Sequence, residues 1–140
     1  MRDPQHFEHL LNPRSVAVIG ASDDPLRIGG RPISYMLKQG FAGRIYPVNP
    51  NRAVVQGLTA YASVADLPEA PDVAVVAVPA AATPAVIAEL ASKGTGAAIL
   101  FSAGFAESGP EGAALQAQAV AAAREHGMRL LGPNSLGIVN

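Results

Sequence analysis

The chain has no cysteine. That excludes a disulfide scaffold, a thiolate zinc site and a cysteine nucleophile, and it fits a cytoplasmic protein. Long apolar runs are missing too. The longest, residues 73–82, is interrupted by Pro79 and is far short of the roughly 20 residues that a membrane helix requires. The opening Met1-Arg2-Asp3-Pro4-Gln5-His6 has no apolar core, so no signal peptide and no membrane partner are expected. Charge is scarce at 15%, and ten Lys+Arg against eleven Asp+Glu leave a net charge of −1. A nucleic-acid partner would call for a basic surface and is not expected. His6, His9 and His126 belong to no metal-ligand pattern, no Walker A motif is present, and Ser102 and Ser135 lack a nucleophile elbow. What is present is 49% apolar residues in 140, enough for one domain with a real core.

The scarce charge is unevenly spread. Between Pro25 and Ala65 there is no acid, while Arg27, Arg31, Lys38, Arg44 and Arg52 fall inside that stretch. The stretch is locally +5 and the remainder of the chain −6. A concentrated positive field points to an anionic ligand; the alternative is a solvated basic face.

Short apolar runs alternate with helical patterns. Strands are expected over residues 15–20, 44–48, 72–78, 97–102 and 128–131. Pro47 lacks an N–H, which predicts a bulge or strand end there. Three helices share one punctuation, proline near the start and glycine just past the end. Pro32 opens the first and Gly40 closes it; Thr83-Pro84 and Gly94 bracket the second, with Thr83 as N-cap; Pro110-Glu111 and Gly127 bracket the third. A short leading helix is expected at residues 5–11. The fold class that follows is α/β, an open parallel sheet with helices on both faces. Ligands of such sheets bind at the carboxyl ends of the strands, so the residues following each strand are the candidate site.

After the first strand, Gly20-Ala21-Ser22 leads through Arg27 to Gly29-Gly30 and a helix start, a place where free N–H groups favour phosphate. The spacing is not that of G-x-G-x-x-G, and a purely structural turn is the alternative. After the second come Asn49-Pro50-Asn51-Arg52. A fold that uses NAD normally places an acid here for the ribose. Arg52 instead suits a ribose phosphate, leaving NADP and the 3′-phosphate of coenzyme A both open. After the third, Val78-Pro79-Ala80 could flank a flat base. After the fourth, Ser102-Ala103-Gly104 leaves room for a ligand. Gly132-Pro133-Asn134-Ser135 follows the fifth.

Read together, Asn12-Pro13-Arg14-Ser15-Val16-Ala17-Val18-Ile19-Gly20-Ala21-Ser22, Tyr46-Pro47-Val48-Asn49-Pro50, Val76-Ala77-Val78-Pro79-Ala80, Ser102-Ala103-Gly104-Phe105 and Gly132-Pro133-Asn134-Ser135-Leu136-Gly137 resemble the N-terminal CoA-binding domain of NDP-forming acyl-CoA synthetases. The ADP-forming acetate–CoA ligases and, more distantly, the succinyl-CoA synthetase α subunit belong to that family. The resemblance covers nearly the whole chain in order. It implies a Rossmann-like fold over residues 1–140 forming the N-terminal part of a longer chain. It also implies CoA or acyl-CoA as ligand. The loop carrying Ser22, Arg27, Gly29 and Gly30 would hold the phosphates, and Asn49, Asn51 and Arg52 would reach the phosphate and ribose end. Val78, Pro79, Ala80, Ser102, Ala103 and Gly104 would line the adenine and pantetheine path, and Asn134 and Ser135 would face the reacting centre. No catalytic residue is expected within this segment. The phosphoryl-carrying histidine and the ADP/ATP and Mg sites would lie in downstream synthetase domains. The alternatives are a stand-alone CoA-binding protein, a regulatory module fused to an acetyltransferase, and an NAD(P)-binding domain.

Overall fold

A computed structural model of the chain describes residues 12–101 and 109–132. The expected leading helix lies outside them. Five parallel strands form one sheet: β1 (Ser15–Ile19), β2 (Arg44–Val48), β5 (Val73–Val76), β6 (Ala97–Leu100) and β7 (Arg129–Leu131), in the order β2-β1-β5-β6-β7. A small antiparallel hairpin, β3 (Val54–Val55) with β4 (Leu58–Thr59), follows β2. The helices are α1 (Arg31–Lys38), α2 (Thr83–Lys93) and α3 (Pro110–Glu125). Residues of β1, β5 and β6 are buried on both sides of the sheet, which is why their sequences run apolar without alternating.

Each face has its own core. On one, Ala17, Ile19, Val76 and Leu100 pack with Ile87 and Leu90 of α2 and Ala119 and Ala123 of α3. On the other, Val16, Val18, Val75 and Ile99 pack with Ile33 of α1 and Val55 of the hairpin. Ile33, Ile87, Leu90 and Leu100 are fully buried, each contributing about 1.5–3 kcal/mol of hydrophobic stabilisation. Gly112, Ala119 and Ala123 at the buried positions of α3 let that helix lie close to its neighbours. The proline-start, glycine-stop reading of the helices holds: Pro32, Pro84 and Pro110 occupy first-turn positions, and Gly94 closes α2 in the left-handed region at φ 108°.

Several boundaries differ from the sequence reading. β5 ends at Val76 rather than Val78 and β6 at Leu100 rather than Ser102. Pro47 neither bulges nor ends β2: it stays in register opposite Val18. β2 is the edge of the five-stranded sheet, so a missing N–H costs no ladder bond there, and the Pro47 carbonyl still accepts from the Tyr61 N–H at 2.9 Å. Thr83 is not an N-cap. Ala82 holds that position, and the Thr83 hydroxyl donates to the Pro79 carbonyl at 3.2 Å from inside the first turn.

At the amino end of β2, Glu69 accepts from the Arg44 guanidinium and from the Tyr46 hydroxyl. Those bonds hold its carboxyl below the usual range, and burial with the neighbouring carboxylate pushes the Tyr46 phenol up. Arg44 is thereby spent on the fold, at the end of the sheet opposite the expected site.

Candidate functional site

The chain runs from β1 to β2 on one side and returns to place β5 on the other. Such a reversal opens a crevice at the carboxyl ends of β1 and β5. A cleft of about 770 Å³ lies there, lined by the turn after β1 (Gly20 to Asp24, with Arg27, Ile28 and Gly29), by Asn49 and Arg52 after β2, and by Ala77 after β5. The volume falls within the roughly 300–1,000 Å³ of ordinary small-molecule sites.

The β1–α1 loop is closed mostly by its own backbone. Gly20 leaves the strand at φ 85°, and the N–H groups of Gly20 and Ala21 both donate to the Val48 carbonyl at 3.1 Å. The Ser22 N–H donates to the Gly29 carbonyl at 3.2 Å, joining the two limbs. The Ser22 hydroxyl accepts from the Asp24 N–H and the Asp24 carboxylate from the Leu26 N–H, so both side chains form local turns. A Cβ on Gly29 would sit 2.0 Å from the Gly20 carbonyl oxygen, and one on Gly30 would sit 1.9 Å from that of Asp24. These glycines permit the loop to approach itself. Gly29 lines the cleft as well; Gly30 does not. Among the described residues the N–H groups of Ile28 and Gly29 have no acceptor.

On the β2 side, Asn49 is committed on both ends of its amide. Its Nδ2 donates to the Ala21 carbonyl at 2.9 Å, and its Oδ1 accepts from the Asn51 N–H at 2.7 Å. Asn51 shapes that turn and does not line the cleft. Arg52 Nη1 lies 3.8 Å from Asp23 Oδ2, and Arg27 Nε lies 3.9 Å from Asp24 Oδ2. This revises the expectation of a concentrated positive field. Of the five cations in the acid-free stretch, only Arg27 and Arg52 line the cleft. Each has beside it an aspartate from just before the stretch, which linear counting had assigned elsewhere.

The remaining candidates divide. Val78 and Ala80 pack against the core beneath α2 and α3, and Pro79 precedes a 3₁₀ turn at Ala80–Ala82; the residue before them, Ala77, lines the cleft. Ser102, Ala103, Gly104, Asn134 and Ser135 lie outside the described residues. Sequence reasoning passed over Gln56. Its side-chain amide donates to the carbonyls of Ser22 and Gly30, both at 3.0 Å. The signal was available: Gln56-Gly57 between Val54-Val55 and Leu58-Thr59 has the form of a two-residue hairpin turn, and both residues adopt positive φ, 48° and 81°.

Residues 14–140 match the family described as CoA binding domain. The chain belongs to that family. This CoA-binding-family domain is 46% identical over 135 residues to an ADP-forming acetate–CoA ligase II of Archaeoglobus fulgidus, covering 94% of this chain and 20% of the ligase. It is 45% identical over 136 residues to a trans-feruloyl-CoA synthase from an unknown prokaryotic organism, covering 97% of this chain and 19% of the synthase. Among solved structures, the apo form of a dinucleotide-forming acetyl-coenzyme A synthetase 1 from Ca. Korarchaeum cryptofilum superposes with a TM-score of 0.87 at 40% identity, covering 94% of this chain and 28% of that one. The domain is thus Rossmann-like, and it spans about a fifth of the length of these two curated relatives. No helix among the described residues is long and apolar enough to cross a membrane.

Proposed function

We propose that the chain is the CoA-binding domain of an ADP-forming acid–CoA ligase. It would hold CoA while the thiol sulfur bonds to the acyl carbon of an acyl phosphate, the bond from that carbon to the bridging phosphate oxygen breaks, inorganic phosphate leaves and the thiol proton is released. The observation that carries the reading is the cleft itself. It is lined by Arg27 and Arg52 and by Ile28 and Gly29, whose N–H groups have no acceptor among the described residues, a donor set that suits a diphosphate and a ribose phosphate. The cleft opens at the strand reversal of a domain shared with acid–CoA ligases.

Arg52, beyond the end of β2, is the candidate for the ribose-phosphate end; Arg27 and the loop N–H groups are the candidates for the diphosphate. This reading puts the protein in the cytoplasm. Phosphoryl carriage and the ADP/ATP and Mg chemistry would fall to downstream synthetase domains, the expected protein partners. The acid would be selected outside this segment, since relatives named for acetate and for ferulate match it about equally at 46% and 45%.

Thermal unfolding with CoA and with NAD tests the ligand. A ligand that binds only the native state at a hundredfold excess over Kd adds about 2.7 kcal/mol, which for a domain of this size raises Tm by on the order of 10 °C. CoA is expected to do so and NAD to leave Tm unchanged. Stabilisation by NAD and not by CoA would remove this reading in favour of the dinucleotide alternative.

A further inference from the structure

Gln56 does not line the cleft, yet it touches the phosphate loop at three places. Its Nε2 donates to the carbonyls of Ser22 and Gly30, the two limbs of the loop, at 3.0 Å each. Its backbone N–H donates to Asp23 Oδ1 at 2.7 Å, and Asp23 is the carboxylate beside Arg52. The residue next to it, Val55, is fully buried in the same core as Ile33 of α1. The hairpin tip is therefore fixed to the face of the sheet on which α1 sits, and Gln56 carries that fixed position to the loop.

The chemistry of the side chain is specific. Two carbonyl oxygens facing one head group need a head with two donors, and a primary amide supplies two N–H bonds on one nitrogen. A carboxylate of the same shape would set acceptor against acceptor. The backbone is specific as well: Gln56 holds φ 48°, a region in which L-residues other than Asn, Asp and Gly are uncommon. The two-residue hairpin turn imposes that φ, and the side chain so placed is committed to the loop.

We infer that Gln56 is the positioning residue of this site: by bridging Ser22 and Gly30 it sets the spacing of the loop limbs, so that the N–H groups between them meet a diphosphate, and CoA affinity depends on it without direct contact. The inference rests on the CoA reading above.

The test compares CoA affinity by calorimetric titration with ligand-free thermal unfolding in the wild-type chain, Q56M, Q56K and Q56N. Met keeps length and loses both donors; Lys restores donors; Asn suits the positive φ but is one methylene short. Q56M is expected to bind CoA at least tenfold more weakly at a temperature where it is fully folded, and Q56K to return to within about threefold of wild type. If Q56M does not fold, Q56N carries the comparison, with the same tenfold loss expected. A fold staple alone would lower the unfolding midpoint and leave affinity intact in the folded protein. A folded Q56M, or in its place Q56N, binding CoA within twofold of wild type overturns the role of Gln56 and leaves the CoA reading standing. A wild-type chain that does not bind CoA overturns both.

Discussion

Gly29→Ala is expected to reduce CoA affinity by about a hundredfold and to lower stability by only 1–3 kcal/mol, the usual cost of overpacking. The added methyl would lie 2.0 Å from the Gly20 carbonyl oxygen and 3.4 Å from the Ala21 Cα. Both neighbours are backbone, so no rotamer change relieves the contact. The loop is exposed on its outer side and can move away, which limits the loss of stability. Moving away, however, breaks the Ser22–Gly29 bond and displaces the N–H groups of Ile28 and Gly29 from the cleft. Hydrogen bonds to a charged group are worth about 1.5–3 kcal/mol each; two of them misplaced, at the lower end of that range, give about the hundredfold. Gly29→Glu collides in the same way, so the added charge is not needed for the effect. Gly40→Ala is the control. Gly40 holds φ 70° with nothing within 4 Å of a Cβ, so alanine there is strained and destabilising but far from the cleft, and CoA affinity should be unchanged. Calorimetric titration of the two variants decides: Gly29→Ala binding within threefold of wild type would show that the loop does not hold the ligand.

The double substitution Arg27→Ala, Arg52→Ala is expected to cost a similar factor, again about a hundredfold, with a shallower dependence of affinity on salt. At present each guanidinium faces an aspartate at 3.8–3.9 Å, with all four side chains about half or more exposed. Pairs of that kind contribute about 0–1 kcal/mol. Exchanging such a carboxylate for a phosphate with shorter, charge-assisted bonds is therefore favourable. For the same reason, removing the arginines should leave ligand-free stability within about 0.5 kcal/mol of wild type. Lys38→Ala, at the far end of α1, removes one positive charge away from the cleft and should change affinity little. A double variant that binds CoA within threefold of wild type would mean that the two arginines are solvated pairs and no part of the site.

The fold was legible in the sequence where one residue type has one strong local consequence. Proline in the first turn and glycine past the last marked α1, α2 and α3 because each removes or requires a specific backbone state. The apolar runs marked the strands because both faces of this sheet are covered. The hairpin Val54–Val55 and Leu58–Thr59 is too short for periodicity to register, and only its Gln56-Gly57 turn carried a signal. Pro47 misled because an edge strand and a strand end make the same demand on the missing N–H, and sequence does not say which edge faces outward. The acid-free stretch misled for a related reason. Charge was counted along the chain, whereas Asp23 lies beside Arg52, which follows β2, and Asp24 lies beside Arg27 within its own loop. Gly29 and Gly30 were legible as part of a glycine-bearing loop before a helix start, but the atoms that a Cβ on either would meet belong to the loop itself. Gln56 was missed because it acts on backbone carbonyls, and no spacing in the sequence announces a contact of that kind.

The central claim is that CoA occupies the cleft between the β1–α1 loop and Arg52. The measurement that tests it most directly is titration of the isotopically labelled chain with CoA, following backbone amide resonances by NMR. The account predicts saturable shifts concentrated at Gly20 to Gly30, at Asn49 to Arg52 and at Ala77. Resonances of the smaller pocket between α3 and β7, near Val120, Arg124 and Leu130, should stay in place, and NAD should produce no saturable change. Saturable CoA shifts confined to that second pocket, or a full titration with no shift in residues 20–30, would contradict it.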